Sequence, residues 1–386
     1  MAELFKESED QIVHVCGHRG FKAKYTENTV HAFEKCFETG AGQIETDLWI
    51  TKDKELVVSH DASTKRIFCD KEGNPTDKFI PKVDFDEIRD FKTIESGERI
   101  MRFEDLMHWF IGYSDRNPKR LFRVMLDIKK GNKPAATKLI VQKMLELRPD
   151  LQWWVDRVHL GIWDLRVARF LNQDPFFQEV YEKYGPTSAP FDVFHISISW
   201  EDSMHYLDYN DYLDDTYTGD RWVFKVSGVS LLYLSTWSCD FLHTFLPRLE
   251  EQNSKLFCWT INRKDQLNFV CQIRSASSLP FVGVITDSPD VMIDALEQHD
   301  IDKEHRSEYK TTSSTRLIAK DAIHLTFNKK IFNKIFTVLT KLLSPKRVTI
   351  EETKFNSEVD GEYALVFKPS KISTFVFSSC QKLGLF

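Results

Sequence analysis

Short runs rich in β-branched and aromatic residues recur through the first three quarters of the chain. They are IVHVCG at 12, QIETDLWI at 43, FRVMLDIK at 122, RVHLGIW at 157, DVFHISIS at 192, WVFKVSGVSL at 222, KLFCWTIN at 255 and FVGVITD at 281. Between most of them the apolar positions take helical spacing, as in TVHAFEKCFETG, where Val30, Phe33 and Phe37 share a face and a glycine stops the pattern. Eight strands alternating with helices predict an α/β fold, a parallel (β/α)8 TIM barrel, rather than an open sheet, which commonly has fewer strands.

From Trp49 to Phe122 the chain is too long for one crossover. This predicts an insertion after the second strand, built from the Gly/Pro-containing DKEGNPTDKFIPK and two short helices around 84 to 112. Long βα connections build over the C-terminal rim, where barrel active sites lie. The pattern ends near residue 300, so a barrel of residues 12–298 is expected, followed by a polar linker at 299–315, in EQHDIDKEHRSEYKTTSSTR.

Residues 316–386 are expected to form a basic, amphipathic membrane-association region; 316–347 alone hold eight Lys or Arg against a single Asp. Phe327, Ile331, Ile335, Val338 and Leu342 fall at steps of four, four, three and four, beside a second row of Phe332, Phe336, Leu339 and Leu343. Lys330, Lys334, Thr337 and Lys341 line the opposite side, and Pro345 ends the helix. A wide apolar stripe with a lysine face predicts a helix lying in a membrane interface; docking on the barrel or pairing with another copy are the alternatives. The last segment, KISTFVFSSCQKLGLF, is apolar enough to dip into lipid and too short to span it as a helix.

Charge removes one class of partner. A net charge of −6 and a pI near 6.1 exclude a general nucleic-acid binder, which needs a strong basic excess. MAELFKESEDQ has neither the basic nor the apolar region of a secretory signal, which predicts a cytosolic start. With the tail, the expected place is the cytosolic face of intracellular membranes: lipid droplets, mitochondria or endoplasmic reticulum. The seven cysteines follow no metal-ligand spacing and read as reduced, mostly buried thiols.

The chemistry lies at the strand ends. Glu45 and Asp47 stand two apart in a strand, so both point to one face, with Ile44 and Leu48 on the other. Asp127 and Lys129 repeat the arrangement in MLDIKK. Carboxylates crowded on one face repel unless a cation lies between them, and the three acids predict a hard divalent ion, calcium or magnesium; pairing with Arg or Lys at a barrel rim is the alternative. His60 follows ELVVS and His18 follows the first strand. Together they supply an acid and a base that titrate near neutrality, and with a cation to polarise a phosphoryl oxygen the set suits phosphodiester cleavage. Arg19 and Lys129 are expected to hold phosphate oxygens.

HRG at 18–20, ENT at 27–29, GAGQIETDLWITKDKELVVSHD at 40–61, LDIK at 126–129, WTIN at 259–262 and GVITDSP at 283–289 resemble, in this order and spacing, the glycerophosphodiester phosphodiesterase family over about residues 12 to 298. Within that family the chain is most similar to the fungal phosphatidylglycerol-specific phospholipases C, through GHRGFKAKYTENTVHAFEK, the Asp of MLDIK, WTINRKD and a tail foreign to the family. The resemblance implies Glu45, Asp47 and Asp127 as metal ligands, His18 and His60 as the acid/base pair, and Arg19 and Lys129 at the phosphate. Trp259 and Asn262 become candidate pocket residues, though Trp259 reads equally as a packed aromatic. The implied reaction is hydrolysis of phosphatidylglycerol to diacylglycerol and glycerol 3-phosphate at a membrane surface. Soluble glycerophosphodiesters or lysophospholipids are the rival substrates, and a non-catalytic membrane-binding barrel is the rival class. Two positions depart from the family: Thr26 replaces the usual proline before ENT, and Asp127 replaces the usual Glu, which implies a longer or water-bridged metal contact. Asp287 is expected to cap the last barrel helix, with Pro289 in its first turn.

Overall fold

The structure, a computed structural model, describes residues 13–307 except 186, 188, 218 and 220, together with 320, 323, 325–343 and 350. The strands are β1 (His14–Gly17), β2 (Gln43–Ile50), β3 (Leu56–Val58), β4 (Phe68–Cys69), β5 (Lys92–Thr93), β6 (Arg123–Ile128), β7 (Val158–Ile162), β8 (Asp192–Ser197), β9 (Val226–Leu232), β10 (Lys255–Trp259) and β11 (Val282–Thr286). β1, β2 and β6 to β11 pair in parallel and in sequence order, and β1 closes the ring by pairing with both β2 and β11. This is the expected eight-stranded TIM barrel. Cys16, Met125, Phe194, Phe257 and Ile285 pack together as one buried cluster, separate from the large apolar layer that strands and helices share. Asp47 and Asp127 lie one step above that filling, toward the C-terminal rim, while Glu45 stands level with Met125.

Two elements differ from the sequence pattern for local reasons. The sixth run starts at Val226 rather than Trp222 because side chains from neighbouring helices take its first amides: Phe224 N–H donates to Asn172 Oδ1 and Val226 N–H to Asn210 Oδ1, both at 2.8 Å. In the insertion, the two helices expected over 84–112 are instead the short 3-10 turns Ile80–Lys82 and Phe85–Glu87 and one helix, Phe103–Arg116. Ile80, Val83, Ile88, Phe91 and Ile100 turn inward with Trp49, Val57 and Phe68 to form a small separate core, so this stretch follows its own packing rather than a helical period. β3 turns back antiparallel on β2, and β4 pairs antiparallel with β5.

The last barrel helix, Pro289–Ser307, runs into the stretch expected as a linker, whose remainder, 308–315, lies outside the described residues. So do Pro345 and KISTFVFSSCQKLGLF. The tail helix forms as Phe327–Leu343 and docks through Phe332 and Phe336 of its second row. Phe336 and Asn333 are buried, Phe332 meets the Trp237 ring at 6.1 Å, and Asn333 Nδ2 donates to the Leu234 carbonyl at 2.9 Å. Four residues of the first row face outward: Phe327 is 75% exposed, Ile331 42%, Ile335 56% and Val338 58%. Among the described residues no helix is long and apolar enough to cross a membrane.

Candidate active site

HRG sits where β1 leaves the barrel, and the glycines on either side of His18 and Arg19, Gly17 and Gly20, make the turn possible. A Cβ on Gly17 would lie 2.3 Å from Cys36 Sγ and 2.5 Å from the Gly20 carbonyl oxygen. Gly20, at φ +87°, would press a Cβ to 2.9 Å from the backbone of Ala32. Between them Arg19 takes φ +54°, and its backbone N–H donates to Glu45 Oε2 at 3.0 Å, tying the turn to β2.

Asp47 of β2 stands opposite Asp127 of β6 in the strand register, and Glu45 lies one step lower on the same face. All three are buried, and each offers an oxygen within 4.8 Å of the other two. Lys129 Nζ lies 2.6 Å from Asp127 Oδ2 and 2.5 Å from Asp47 Oδ1. The second contact lacks hydrogen-bond alignment, and Asp47 Oδ1, though buried, accepts no hydrogen bond among the described residues. An all-carboxylate cluster with such an oxygen has the donor set a hard divalent cation takes. The acids converge as ligands of an ion would, and a lysine lies among them. Asp127, one methylene shorter than the family's Glu, is held from both sides, since its Oδ1 accepts from Trp163 Nε1 at 2.7 Å.

Burial pushes Glu45 well above the ordinary carboxylate range, and the charges of Asp47 and Asp127 push the same way. Asp127 is raised as well, by burial first, with Lys129 opposing and Asp47 assisting. Burial would raise Asp47 too, but Lys129, His60 and Arg19 outweigh it and hold the group well below its usual value. Since metal ligands must be deprotonated, a cation taken by this triad would displace the proton that Glu45 favours.

His18 Nδ1 lies 2.6 Å from Asp287 Oδ1, and His60 Nδ1 lies 2.8 Å from Asp61 Oδ1. A carboxylate only accepts, so each neutral ring carries its hydrogen on Nδ1 and keeps the Nε2 lone pair for chemistry. Asp287 is thus not the helix cap expected of it: the helix opens at Ser288, whose carbonyl accepts from Met292 N–H, while the Asp287 carboxylate faces His18, Asn262 Nδ2 at 3.1 Å and Lys22 at 3.5 Å. Asn262 is committed to the same brace, its Oδ1 accepting from the Asp287 amide at 2.8 Å. Arg19 donates through Nη1 to Glu27 Oε1 at 3.0 Å, while its buried Nε, 3.5 Å from Asp47 Oδ2, has no hydrogen-bond partner among the described residues. Trp259 donates to the Ser230 carbonyl at 3.0 Å and meets Trp163 edge-to-face at 6.2 Å. Because β7 and β10 are not neighbours, these two rings meet across the barrel mouth over the ends of β8 and β9.

Sequence reasoning missed Asp287 as the partner of His18, and it missed Asp61, Glu27, Arg66 and Trp163. Asp61 directly follows His60 and Glu27 opens the ENT motif, so both carried a signal; Trp163 carried none.

The histidines also predict how stability responds to acid. Burial is the largest cause lowering all four of His18, to about 4, His60, His159, to about 3, and His195. Arg19 assists at His18 while Asp287 opposes. As pH falls below about 6.5 the unfolded chain takes up protons that the folded chain refuses, so stability present above that pH is lost as pH drops. Glu45 and Asp127 act in the opposite sense but are outnumbered. The urea midpoint in chelator is expected to fall between pH 6.5 and 5; a midpoint that stays level or rises would contradict the four neutral rings.

Residues 18–291 match the Glycerophosphoryl diester phosphodiesterase family. The chain is 34% identical over 120 residues to a glycerophosphodiester phosphodiesterase of Caldanaerobacter subterraneus subsp. tengcongensis, over 30% of this chain and 45% of that protein. It is 47% identical over 49 residues to lysophospholipase D GDPD1 of Rattus norvegicus, over 13% of this chain and 16% of that protein. The aligned stretches thus span less than half the length of these relatives. In fold it is similar to a crystal structure of a glycerophosphodiester phosphodiesterase from Parabacteroides distasonis, with a TM-score of 0.52 and 17% identity over 75% of this chain and 99% of that one. The family match takes in both histidines, the three carboxylates and every strand from β2 to β11, and on that ground the chain belongs to the glycerophosphoryl diester phosphodiesterase family.

Proposed function

We propose that this chain is a metal-dependent phosphodiesterase acting on glycerophosphodiester-type substrates, whether soluble glycerophosphodiesters or lysophospholipids. The observation that carries this reading is the pair of imidazoles, each with Nδ1 spent on an aspartate and both under the charge of Arg19, beside one buried carboxylate triad. Cleaving a phosphodiester requires a proton to leave the attacking oxygen and another to reach the departing one. One histidine takes the first while the other delivers the second. Where the glycerol carries a free hydroxyl beside the phosphate, that hydroxyl is the attacking group and its attack is intramolecular, which removes much of the entropic barrier. Water then opens the cyclic phosphate. Arg19 Nε offers an unspent donor to a phosphate oxygen, and Lys129 the N–H groups not spent on Asp127. Magnesium or calcium, held by Glu45, Asp47 and Asp127, would stabilise charge on the phosphoryl oxygens.

A second reading, in which an intact phospholipid is cut, is favoured by the tail helix. It docks on the turn Tyr233–Thr236, which continues from β9 at the same rim as the histidines, and it leaves its first apolar row facing outward with Lys330 and Lys334 exposed beside it. That face suits an anionic leaflet, where each lysine adds about 1 kcal/mol. On this reading the substrate is phosphatidylglycerol, the products are diacylglycerol and glycerol 3-phosphate, and the enzyme works on the cytosolic face of an intracellular membrane.

The test offers the full chain glycerophosphodiesters, lysophospholipids and vesicles containing phosphatidylglycerol, each with magnesium, calcium or a chelator, and identifies the products. Turnover of the soluble or lyso substrates, lost in chelator, supports the first reading; diacylglycerol from phosphatidylglycerol vesicles supports the second. Ile331→Asp with Ile335→Asp should abolish vesicle binding and lipid cleavage while leaving soluble turnover unchanged. Vesicle binding without turnover of any substrate would leave the non-catalytic reading standing.

A further inference from the structure

The insertion reaches the site through one side chain. Arg66 ends the 3-10 turn Thr64–Arg66 and donates from Nε to Asp61 Oδ2 at 2.5 Å. Its Nη1 and Nη2 grip both oxygens of Glu27, at 3.0 and 2.7 Å. The other oxygen of Asp61 holds His60, and Glu27 Oε1 also accepts from Arg19. A single guanidinium therefore joins the carboxylate behind His60 to the carboxylate behind Arg19. The turn that carries it is pinned on both flanks: Lys78 N–H donates to buried Thr64 Oγ1 at 2.9 Å, Ile80 N–H to the Ala62 carbonyl at 2.8 Å, and Ile94 N–H to the Ile67 carbonyl at 2.8 Å. With its own small core, the insertion forms a fixed buttress.

We propose that Arg66 is a positioning residue for proton transfer at His60, acting through Asp61 and coupling the orientation of that imidazole to that of Arg19. The proposal rests on the reading of His60 as an acid or base. A planar fork with fixed N–H directions can hold two carboxylates at a set angle, whereas an ammonium on a flexible stem can satisfy charge without setting it. Without the fork, Asp61 is free to turn, and His60 loses the partner that keeps its hydrogen on Nδ1. Arg66 is 45% exposed, so removing it opens no internal cavity, and buried Glu27 keeps Arg19.

The experiment uses the full chain carrying Arg66→Ala or Arg66→Lys, with Arg89→Ala as an exposed control in the same insertion. For both Arg66 variants kcat is expected to fall about 10- to 100-fold, the usual range for groups that orient a site from behind, with KM within about twofold; the control is expected to match wild type. Millimolar guanidinium should restore part of kcat in Arg66→Ala and none in His60→Ala. Nitrogen NMR of the imidazoles should show His60 as the Nδ1–H tautomer in wild type and as a mixture in Arg66→Ala. Wild-type kcat in Arg66→Ala would overturn the proposal. So would a loss of kcat with no guanidinium rescue and an unchanged His60 tautomer, since that describes a purely structural role. A wild-type chain inactive on every phosphodiester would instead defeat the reading of the site, while the tautomer comparison would still decide whether Arg66 governs His60.

Discussion

His18→Ala is expected to lower turnover by about 10²- to 10⁴-fold, the range contributed by a positioned acid or base, while folding and vesicle binding stay intact. The separation follows from what remains when the ring is removed. Asp287 keeps Asn262 Nδ2 and Lys22, so no buried carboxylate loses its last partner. The turn keeps its fold because it is held by backbone: the amide of residue 18 donates to the Thr286 carbonyl at 2.7 Å and the Arg19 amide to Glu45. The measurements are kcat on the best substrate, near-ultraviolet circular dichroism and sedimentation with vesicles. A folded variant with wild-type kcat would remove His18 from the chemistry. Loss of activity, folding and vesicle binding together would discredit its catalytic assignment.

Lys129→Met is expected to cost about 3–5 kcal/mol in chelator at neutral pH, the usual consequence of removing one partner from a buried charge cluster. Methionine keeps most of the apolar stem, so the loss is electrostatic. Asp47 and Asp127 would face each other across β2 and β6 with Glu45 below them, Arg19 the cation left beside Asp47 and neutral donors from Asn28 and Trp163 holding the two aspartates. Two consequences set this cost apart from simple packing damage. Acid should shrink it, because protonating any of the three carboxylates relieves the repulsion. Millimolar magnesium or calcium should recover much of it, because an ion that binds only the folded state stabilises by mass action. Wild type should gain less from the same ion, since there Lys129 already occupies the space between the aspartates. Urea midpoints of both proteins with and without each cation decide the point. A variant destabilised equally in chelator and in cation would show that the triad does not bind these metals.

The barrel and the convergence of the three acids were legible in the sequence, because both rest on local periodicity. Alternation of period two puts Glu45 and Asp47 on one face of β2 whatever surrounds it, and the same rule holds for Asp127 and Lys129. HRG and LDIK follow or end barrel strands, so a closed barrel gathers them at one rim, whereas His60 returns to that rim because β3 turns back antiparallel on β2. The helical rows of the tail were likewise legible as spacing.

Only the tertiary structure decided which partner each of these groups meets. Asp287 lies 269 residues from His18 and reaches it only because β1 closes the barrel against β11. Trp163 comes to Asp127 from the next strand, and its indole could have turned outward without altering any local pattern. Arg66 reaches Asp61 and Glu27 because the insertion packs its own small core and fixes the turn that carries it. In the tail, two apolar rows were equally fit to dock, and the barrel chose the row of Phe332 and Phe336, where Trp237 and the Leu234 carbonyl could receive it. A periodic pattern states which residues share a face, but the partner of that face is set by contacts between segments distant in sequence, and those exist only once the barrel has closed.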